Sequence, residues 1–587
     1  MVSTKAYEMA SKQRDISVAE FFEKNRHLLG FDNTRKALLT TVKEAVDNSL
    51  DACEEADIIP EIVVEVIDMG DDRFRIIVED NGPGIVKSQI PKIFAKLLYG
   101  SKFHRLKQSR GQQGIGISAS VMYAQLTTGR PAKILSKVGP DKPAHYYELK
   151  IDTARNKPQI LKDEKGENEN SHGTRVEIDL EGTYVKGKQS IDQYLKQTAI
   201  VNPHVNITYV NPKAEQIIFP RVTDKMPRQP IEIKPHPAGV ELGILLKMLS
   251  ATSFRTLQAF LTNEFSRVGS GTAKQICEKA LIPPSTIPRR IKRGDAEKLI
   301  NAIKKTKIIT PPTECISPIG QELLEKGLRK EINAEYYCAV TRKPSVYRGN
   351  PFQVEVAIAY GGDQTAEGSV NLLRFANRVP LLYQQSACSI FRSVADTNWR
   401  PYGLSQSNGS LPQGPVTIAV HIASVWVPFT SESKEAIAHY PEIISELKLA
   451  LQEAGRKLKK YTVKKRRVKE ELKKRSFIEK YIPHVADGLR EILDLKRIEV
   501  SSVEKILKQM LEKKRGKLDK VGFDPSENPD YDEEFARIGS IGRDDEKKQE
   551  QEEAWENAKA DDSEENEQKK EEKDQKENKQ EAKTKKE

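Results

Sequence analysis

Four short polar segments occur in order between Glu44 and Thr174, each set at the end of an apolar run, and they leave few folds open. The first, Glu44-Ala-Val-Asp47-Asn48-Ser-Leu-Asp51, lies inside TRKALLTTVKEAVDNSLDACEEA, whose apolar residues recur at helical spacing. Glu44 and Asn48 are four apart, so a helix puts them on one face. A carboxylate there can take a proton from water, and an amide oxygen beside it can ligate Mg²⁺. The second segment, Asp80-Asn81-Gly82-Pro83-Gly84, ends the apolar strand RIIVE. Its Asp can accept a hydrogen bond from an exocyclic amine such as that of adenine. The third, Ser109-Arg110-Gly111-Gln112-Gln113-Gly114-Ile115-Gly116-Ile117-Ser118, runs into the apolar helix ISASVMYAQL. Its glycines let backbone N–H groups approach phosphate oxygens, and a helix start adds positive dipole. Ser101 and Lys102 precede it and can reach the same phosphates. The fourth, His172-Gly173-Thr174, opens the strand TRVEIDL. Taken singly, each is also an ordinary solvated helix face, tight turn, glycine loop or strand start.

Around these segments the chain reads as an α/β unit. SVAEFFEKNRHLL, within 16–29, is an amphipathic helix; EIVVEVIDM and RFRIIVEDN are strands joined at Gly70-Asp71-Asp72; AKILSKV, HYYELKI and TRVEIDL are further strands. Short turns between successive strands imply an antiparallel sheet. Five prolines in 220–238 mark a linker, and 239–309 reads as helical and basic. Strands return in 315–430 (FQVEVAIAY, VTIAVHIASVWV) with one helix between them. A Lys-rich helix is expected from about Ser433 to Arg475, with more helix to about Lys517. The glycine loop is neither a Walker loop nor a Rossmann fingerprint, because no Gly-Lys-Ser/Thr follows and no parallel βαβ unit surrounds it.

Charge narrows the partners. The tail from Arg543 to Glu587 holds 12 basic and 18 acidic residues, a net of −6, so against the chain's +11 the remaining residues carry about +17. The tail has almost no apolar residue and is expected to be disordered. A body that basic favours a polyanion, nucleic acid first. Five scattered cysteines form no CxxC, which argues against a zinc site or disulfide framework and fits a reducing compartment. No apolar run approaches the roughly 18 residues of a membrane span, and the N-terminus has no signal-peptide core. A soluble intracellular protein is expected.

The order of the four segments resembles the GHKL ATPases: gyrase, heat-shock chaperones, histidine kinases and MutL. That resemblance implies helices layered on a mixed, largely antiparallel sheet. It implies Glu44 as general base, Asn48 as Mg²⁺ ligand and Asp80 as the adenine contact. Ser101, Lys102, residues 111–118 (Gly111, Gln112, Gln113, Gly114, Ile115, Gly116, Ile117, Ser118) and Thr174 would complete an ATP site. Further on, Ser-Glu-Ser-Lys434-Glu follows the strand SVWVPF, where the gyrase-like branch carries a lysine that reaches the γ-phosphate. With PHPAGVE, NEFSRVGSGTA, TRKPSVYRGNPFQVEVAIAYGG and RFANRVPLLY, the chain over about 15–485 resembles the B subunits of DNA topoisomerase VI, the type IIB enzymes.

That second resemblance implies an order of domains. An ATPase domain with an N-terminal strap (1–228) would precede a helix-two-turns-helix domain (229–309) and a transducer domain with a stalk helix (310–476). A C-terminal helical segment (477–542) and the charged tail (543–587) would follow. It implies ATP and Mg²⁺ as cofactors, a cleaving A subunit in an A2B2 heterotetramer, double-stranded DNA, ATP-dependent pairing of two B chains, no membrane, and a prokaryotic, archaeal-type cytoplasm with activity at the nucleoid. The chain itself shows no carboxylate cluster of the kind that cleavage needs. Candidate DNA contacts are Arg289, Arg290, Lys292 and Arg293, equally a solvated helix end, and Trp399 with Arg400, in a Trp-Arg-Pro-Tyr version of a family Trp-Lys-x-Tyr motif. A Trp on a mixed domain is more often a core residue, and that reading of Trp399 is the favoured one. Arg466 and Arg467, on the Lys-rich helix, fit either a stalk reaching the A subunit or DNA, or a plain solvated face. The rival reading is a repair- or chaperone-type GHKL clamp, which would share the first 219 residues but not the helical insert or RFANRVPLLY. A DNA-binding scaffold with a dead ATP site would lack the base or the glycine loop, yet both are present. A histidine kinase is disfavoured, since His27 is the only early candidate phosphoacceptor.

Overall fold

The computed structural model describes residues 5, 9–10, 13–102, 105–111, 114–166, 170–431, 433–493 and 497–515. Gln112 and Gln113, residues 516–542 and the tail 543–587 lie outside the described residues. The chain divides into two units, Met1–Lys459 and Lys460–Glu587.

Helix α1 (Val18–Lys24) is shorter than the expected 16–29 helix, because Asn25 leaves helical geometry and a 3₁₀ turn, Arg26–Leu29, follows. Helix α2 (Thr34–Glu55) starts where the Asn33 side chain accepts the Lys36 N–H at 2.8 Å. It buries Leu38, Val42, Ala45, Val46 and Leu50 on an eight-stranded sheet. In that sheet β1 (Glu61–Asp68) and β2 (Arg73–Asp80) form the expected hairpin. Gly70, Asp71 and Asp72 all take positive φ at its turn, a geometry that glycine and the short polar Asp accept. After α3 (Ile90–Ala95) and α4 (Gly116–Thr128) come β3 (Ala132–Lys137), β4 (Ala144–Asp152), β5 (Lys157–Gly166) and β6 (Gly173–Glu181). Helix α5 (Ile191–Val201), β7 (Asn206–Val210) and β8 (Gln216–Phe219) complete this part. The strand order is β5-β4-β3-β6-β2-β1-β7-β8. One pair, β1 with β7, is parallel, since a long crossover joins them; the other neighbours are antiparallel.

Residues 220–236 form no helix or strand but are pinned by backbone bonds, Ile231 N–H to Glu314 O (2.9 Å) and Ile233 N–H to Leu106 O (3.1 Å). Four helices follow, α6 (Leu242–Ala251), α7 (Leu257–Glu264), α8 (Ser270–Ala280) and α9 (Arg293–Lys304), around a separate core of Leu249, Phe260, Leu261, Ile276 and Leu299. Helix α10 (Gln321–Glu331) leads to a second sheet: β9 (Tyr336–Thr341), β10 (Ser345–Tyr347), β11 (Asn350–Tyr360), β12 (Asn371–Ala376), β13 (Val379–Pro380) and β14 (Val416–Ser424), with α11 (Ser389–Asp396) between β13 and β14. Every residue of β14 is buried, as befits an apolar strand held between β11 and the parallel β12.

The structure decides between the two readings of Trp399 and corrects the start of the long helix. Trp399 is fully buried and donates its indole N–H to the Val394 carbonyl at 2.8 Å, so it is a core residue and presents no face to DNA. Arg400, beside it, is exposed and hydrogen-bonds the Gln406 carbonyl at 2.8 and 3.1 Å. The long helix α12 (Pro441–Leu493) starts at Pro441 rather than near Ser433. Proline suits a first helical position and disfavours helical geometry at the residue before it; Lys434 lies upstream in a loop, at φ +53°.

In the first unit α12 buries Ile443, Leu447, Ala450, Leu451, Ala454 and Leu458. In the second unit Arg466 pairs with Glu470 one turn on, at 3.8 Å. There Arg475 pairs with Glu479 at 3.1 Å, and Ile482, Ala486 and, on α13 (Arg497–Arg515), Leu511 are buried.

Candidate functional site

A cavity of about 570 Å³ opens between α2, the ends of β2 and β6, the start of α4 and the loop carrying Lys434. Sheet register makes its floor. Asp80 and Thr174 are 94 residues apart but directly opposed on β2 and β6. Buried Asp80 accepts Ser49 O–H at 2.7 Å, Gly82 N–H at 2.9 Å and Thr174 N–H at 3.3 Å. Burial pushes its carboxyl above the usual range, against those three donors. Gly173, at φ +139°, must be glycine, because a Cβ there would overlap the Asp80 carbonyl oxygen.

Helix α2 supplies the opposite wall. Lys43, Glu44 and Asn48 line the cavity, and Asn48 is exposed within it. The Lys43 amine lies 3.1 Å from both Glu44 and Asp47, whose other oxygen accepts Tyr194 O–H at 2.9 Å. Burial raises the Glu44 carboxyl, but Lys43, Lys434 and Lys102 outweigh it and hold the group below its usual value. Glu44 is therefore ionised at neutral pH, as a proton acceptor must be. A Cβ on Gly116, the first residue of α4, would overlap the Glu44 carboxylate, so any larger residue must push that side chain aside.

Phosphate-sized groups have a cradle beside this carboxylate. Ser101, Lys102, Gly111, Gly114, Ile115, Gly116 and Ile117 all line the cavity. The point where a Gly111 Cβ would stand is 3.8 Å from the Lys102 amine and 3.9 Å from Asn48 Oδ1. Lys102 itself pairs with Asp51. The α4 N-terminus opens on the same space, adding backbone donors and positive dipole. Ser118 is buried and turned back, donating to the Ile115 carbonyl at 2.9 Å, so its hydroxyl holds the helix start.

Lys434 reaches this cavity from the second sheet. Its amine donates to the Arg110 carbonyl at 3.3 Å, one residue before Gly111. Burial lowers its pKa, while Glu44, Asp47 and Asp51 oppose that shift. The next residue, Glu435, pairs with Lys36 on α2, which fixes the loop to the helix.

The structure thus brings together Glu44, Asn48, Asp80, Ser101, Lys102, Gly111, Gly114 to Ile117, Thr174 and Lys434. It does not bring in the proposed DNA contacts, none of which lines the cavity. Arg289 donates to the Thr252 carbonyl at 3.2 Å; Arg290 ends the 3₁₀ turn Pro288–Arg290; Lys292 precedes α9; Arg293 pairs with Glu297 at 3.2 Å. Sequence reasoning missed Lys43, Ser49 and Tyr194. Lys43 was open to view, since it precedes Glu44 and stands four residues before Asp47; Ser49 and Tyr194 carry no such signal.

Residues 33–183 match the family of histidine kinase-, DNA gyrase B- and HSP90-like ATPases, and residues 311–474 match the topoisomerase VI B subunit transducer. Over 495 residues the chain is 54% identical to the B subunit of type 2 DNA topoisomerase 6 from Methanococcoides burtonii, covering 84% of this chain and 80% of that one. The protein of that description from Archaeoglobus fulgidus is 50% identical over 496 residues, with 84% and 82% covered.

Proposed function

Because the chain belongs to the family of type 2 DNA topoisomerase 6 B subunits, we propose that the cavity on α2 binds and hydrolyses ATP to drive passage of one DNA duplex through another. The chain is the ATPase-bearing subunit of a DNA topoisomerase, and an A subunit and DNA are its partners. A repair- or chaperone-type clamp is set aside, because the match extends through the transducer to residue 474. Among the described residues no helix is long and apolar enough to cross a membrane.

The observation that carries the site reading is the convergence of Glu44, Asn48, Asp80 and the glycine loop with Lys434 in one cavity. In this reading Asp80 accepts from the adenine amine, with Ser49 and Thr174 holding the carboxylate in place. Lys102 and the backbone of 111–118 bind the phosphates. Glu44 takes the proton of the attacking water, and Lys43 keeps the carboxylate ionised and aimed. No cluster of three or more His, Cys, Asp or Glu side chains suited to a metal occurs among the described residues. One exposed amide beside phosphates does suit Mg²⁺, which keeps most of its waters and relies on substrate oxygens. Asn48 Oδ1 would hold it, and when bound it would neutralise phosphate charge.

Lys434 leaves the Arg110 carbonyl for the γ-phosphate, which ties the second sheet to the nucleotide. Two B chains pair when ATP is bound, trapping a duplex, and two A subunits complete an A2B2 enzyme in which cleavage resides. The basic residues Arg289, Arg290, Lys292 and Arg293 supply phosphate contacts to DNA. The activity takes place in an archaeal cytoplasm, at the nucleoid.

Two variants test the site. Gly116→Ala places a methyl on the Glu44 carboxylate. It is expected to lower the ATP turnover number about tenfold, the loss that follows from displacing a reacting group by a fraction of an ångström. Lys434→Ala removes the link to the second sheet. It is expected to slow hydrolysis by about 10²-fold or more, the loss on removing one preorganised charge donor, and to abolish ATP-dependent pairing of B chains, read by analytical ultracentrifugation with a non-hydrolysable ATP analogue. Pairing that survives the Lys434 change intact would contradict the coupling role.

A further inference from the structure

The turn between β12 and β13 is buried, polar and strained, and no role in hydrolysis accounts for it. Phe375 pairs with Pro380 and Ala376 with Val379, which leaves Asn377 and Arg378 as a two-residue turn. Both take positive φ, 48° and 64°, as such hairpins require. Asn accepts that geometry; Arg does so only at a conformational cost. Both residues are 5% exposed.

Asn377 uses its whole amide. Oδ1 accepts Ser424 N–H at 2.8 Å, and Nδ2 donates to the Ser424 carbonyl at 2.9 Å and across to the Ser109 carbonyl at 3.1 Å. Arg378 is held through its backbone N–H and both terminal guanidinium nitrogens, while its buried Nε makes no hydrogen bond among the described residues. Its N–H donates to His421 Nε2 at 3.0 Å, and its Nη2 donates to Ser317 Oγ at 3.0 Å. Its Nη1 lies 3.6 Å from Glu54. Glu54 in turn binds Arg110 at 2.6 and 2.9 Å. His421 accepts through Nε2, so it is neutral and its Nδ1–H donates to Glu355 at 2.8 Å. The second sheet therefore grips two consecutive carbonyls of the segment that feeds the glycine loop: Ser109 from Asn377, and Arg110 from Lys434.

We propose that the Asn377–Arg378 turn is a second coupling element beside Lys434, with Asn377 the positioning residue that ties the glycine loop to the transducer sheet through the Ser109 carbonyl. The proposal rests on the ATP-site reading above. Lys434 must release Arg110 to reach a phosphate, whereas Asn377 has no phosphate to reach and stays on Ser109. When the loop closes over nucleotide, β12 and β13 are drawn with it. Arg378 makes the turn stiff enough to transmit that pull, since its guanidinium is fixed to Ser317 and Glu54.

Asn377→Gly tests this directly, because glycine accepts the turn's φ and only the amide is lost. In the complex with its A subunit, ATP turnover is expected to stay within about twofold of wild type. DNA relaxed per ATP hydrolysed is expected to fall at least about fivefold, the lower end of a coupling between sites. With a non-hydrolysable ATP analogue bound, hydrogen exchange of amides 105–111 is expected to be about tenfold faster than in wild type. Unchanged relaxation per ATP, or unchanged exchange, overturns the proposal. So does a proportional fall of both activities with a lowered melting temperature, which would make the amide merely structural. Wild-type hydrolysis indifferent to Glu44 would bring down the site reading itself, a different outcome from Glu44-dependent hydrolysis with Asn377→Gly fully coupled.

Discussion

Glu44→Gln is expected to lower the ATP turnover number by about 10²–10⁴-fold, the range for removing a general base. The exchange keeps the size of the side chain and removes its capacity to take a proton. Its neighbours should hardly move, because Asp47 still holds Lys43 at 3.1 Å and Tyr194 at 2.9 Å. The cavity floor of Asp80, Ser49 and Thr174 is untouched. Nucleotide affinity should accordingly stay near wild type, so the loss falls on turnover and not on binding. Steady-state hydrolysis together with equilibrium titration of a fluorescent ATP analogue separates the two. A loss confined to binding would contradict the general-base role. The ionised state of Glu44 adds a check: Lys43, Lys434 and Lys102 hold the carboxyl below its usual value. Activity should therefore not rise on going from pH 6 to pH 7 through this group.

Arg110→Leu is expected to cost about 3–5 kcal/mol of stability, the penalty for stripping one partner from a buried ion pair. Arg110 is 6% exposed and binds Asp51 at 2.9 Å and Glu54 at 2.6 Å. Leucine replaces the apolar stem but leaves buried Glu54 without its main cation and Asp51 with Lys102 alone. Burial opposes ionisation of Glu54, yet Arg110, His204 and Arg378 hold its carboxyl well below the usual range. A depressed carboxyl contributes stability that is present above its unfolded pKa and lost as pH falls through the folded one. The variant loses that contribution. Its deficit against wild type should be full at pH 7 and shrink as pH drops below about 4, where carboxylates protonate. Denaturant unfolding at both pH values measures this. A deficit independent of pH would mean that packing, not the ion cluster, accounts for the loss.

Periodicity made α2 and the β1–β2 hairpin legible, because each buries one face and ends in recognisable turn chemistry. β5 was not legible: KPQILKDEKG is exposed along nearly its whole length and lacks alternation. The parallel β1–β7 pair depends on a crossover that no local pattern reveals. In the site, Glu44 and Asn48 follow from helical spacing, and the glycine loop from its composition. Asp80 and Thr174 meet only through strand register. Lys434 was legible by resemblance alone, since nothing local marks a loop lysine that bonds a carbonyl 324 residues earlier. The helix expected from Ser433 failed on Pro441, a signal already in the sequence. The Arg110 cluster was invisible, because its partners come from α2, the end of α5 and the β12–β13 turn.

Supercoil relaxation is the most direct measurement of the central claim. The purified chain would be mixed with its A subunit, ATP and Mg²⁺, beside the chain alone and the complex carrying Glu44→Gln. Relaxation only by the complex with intact Glu44 is the predicted result. ATP hydrolysis without relaxation in any combination, or relaxation by the Glu44→Gln complex at the wild-type rate, would contradict it.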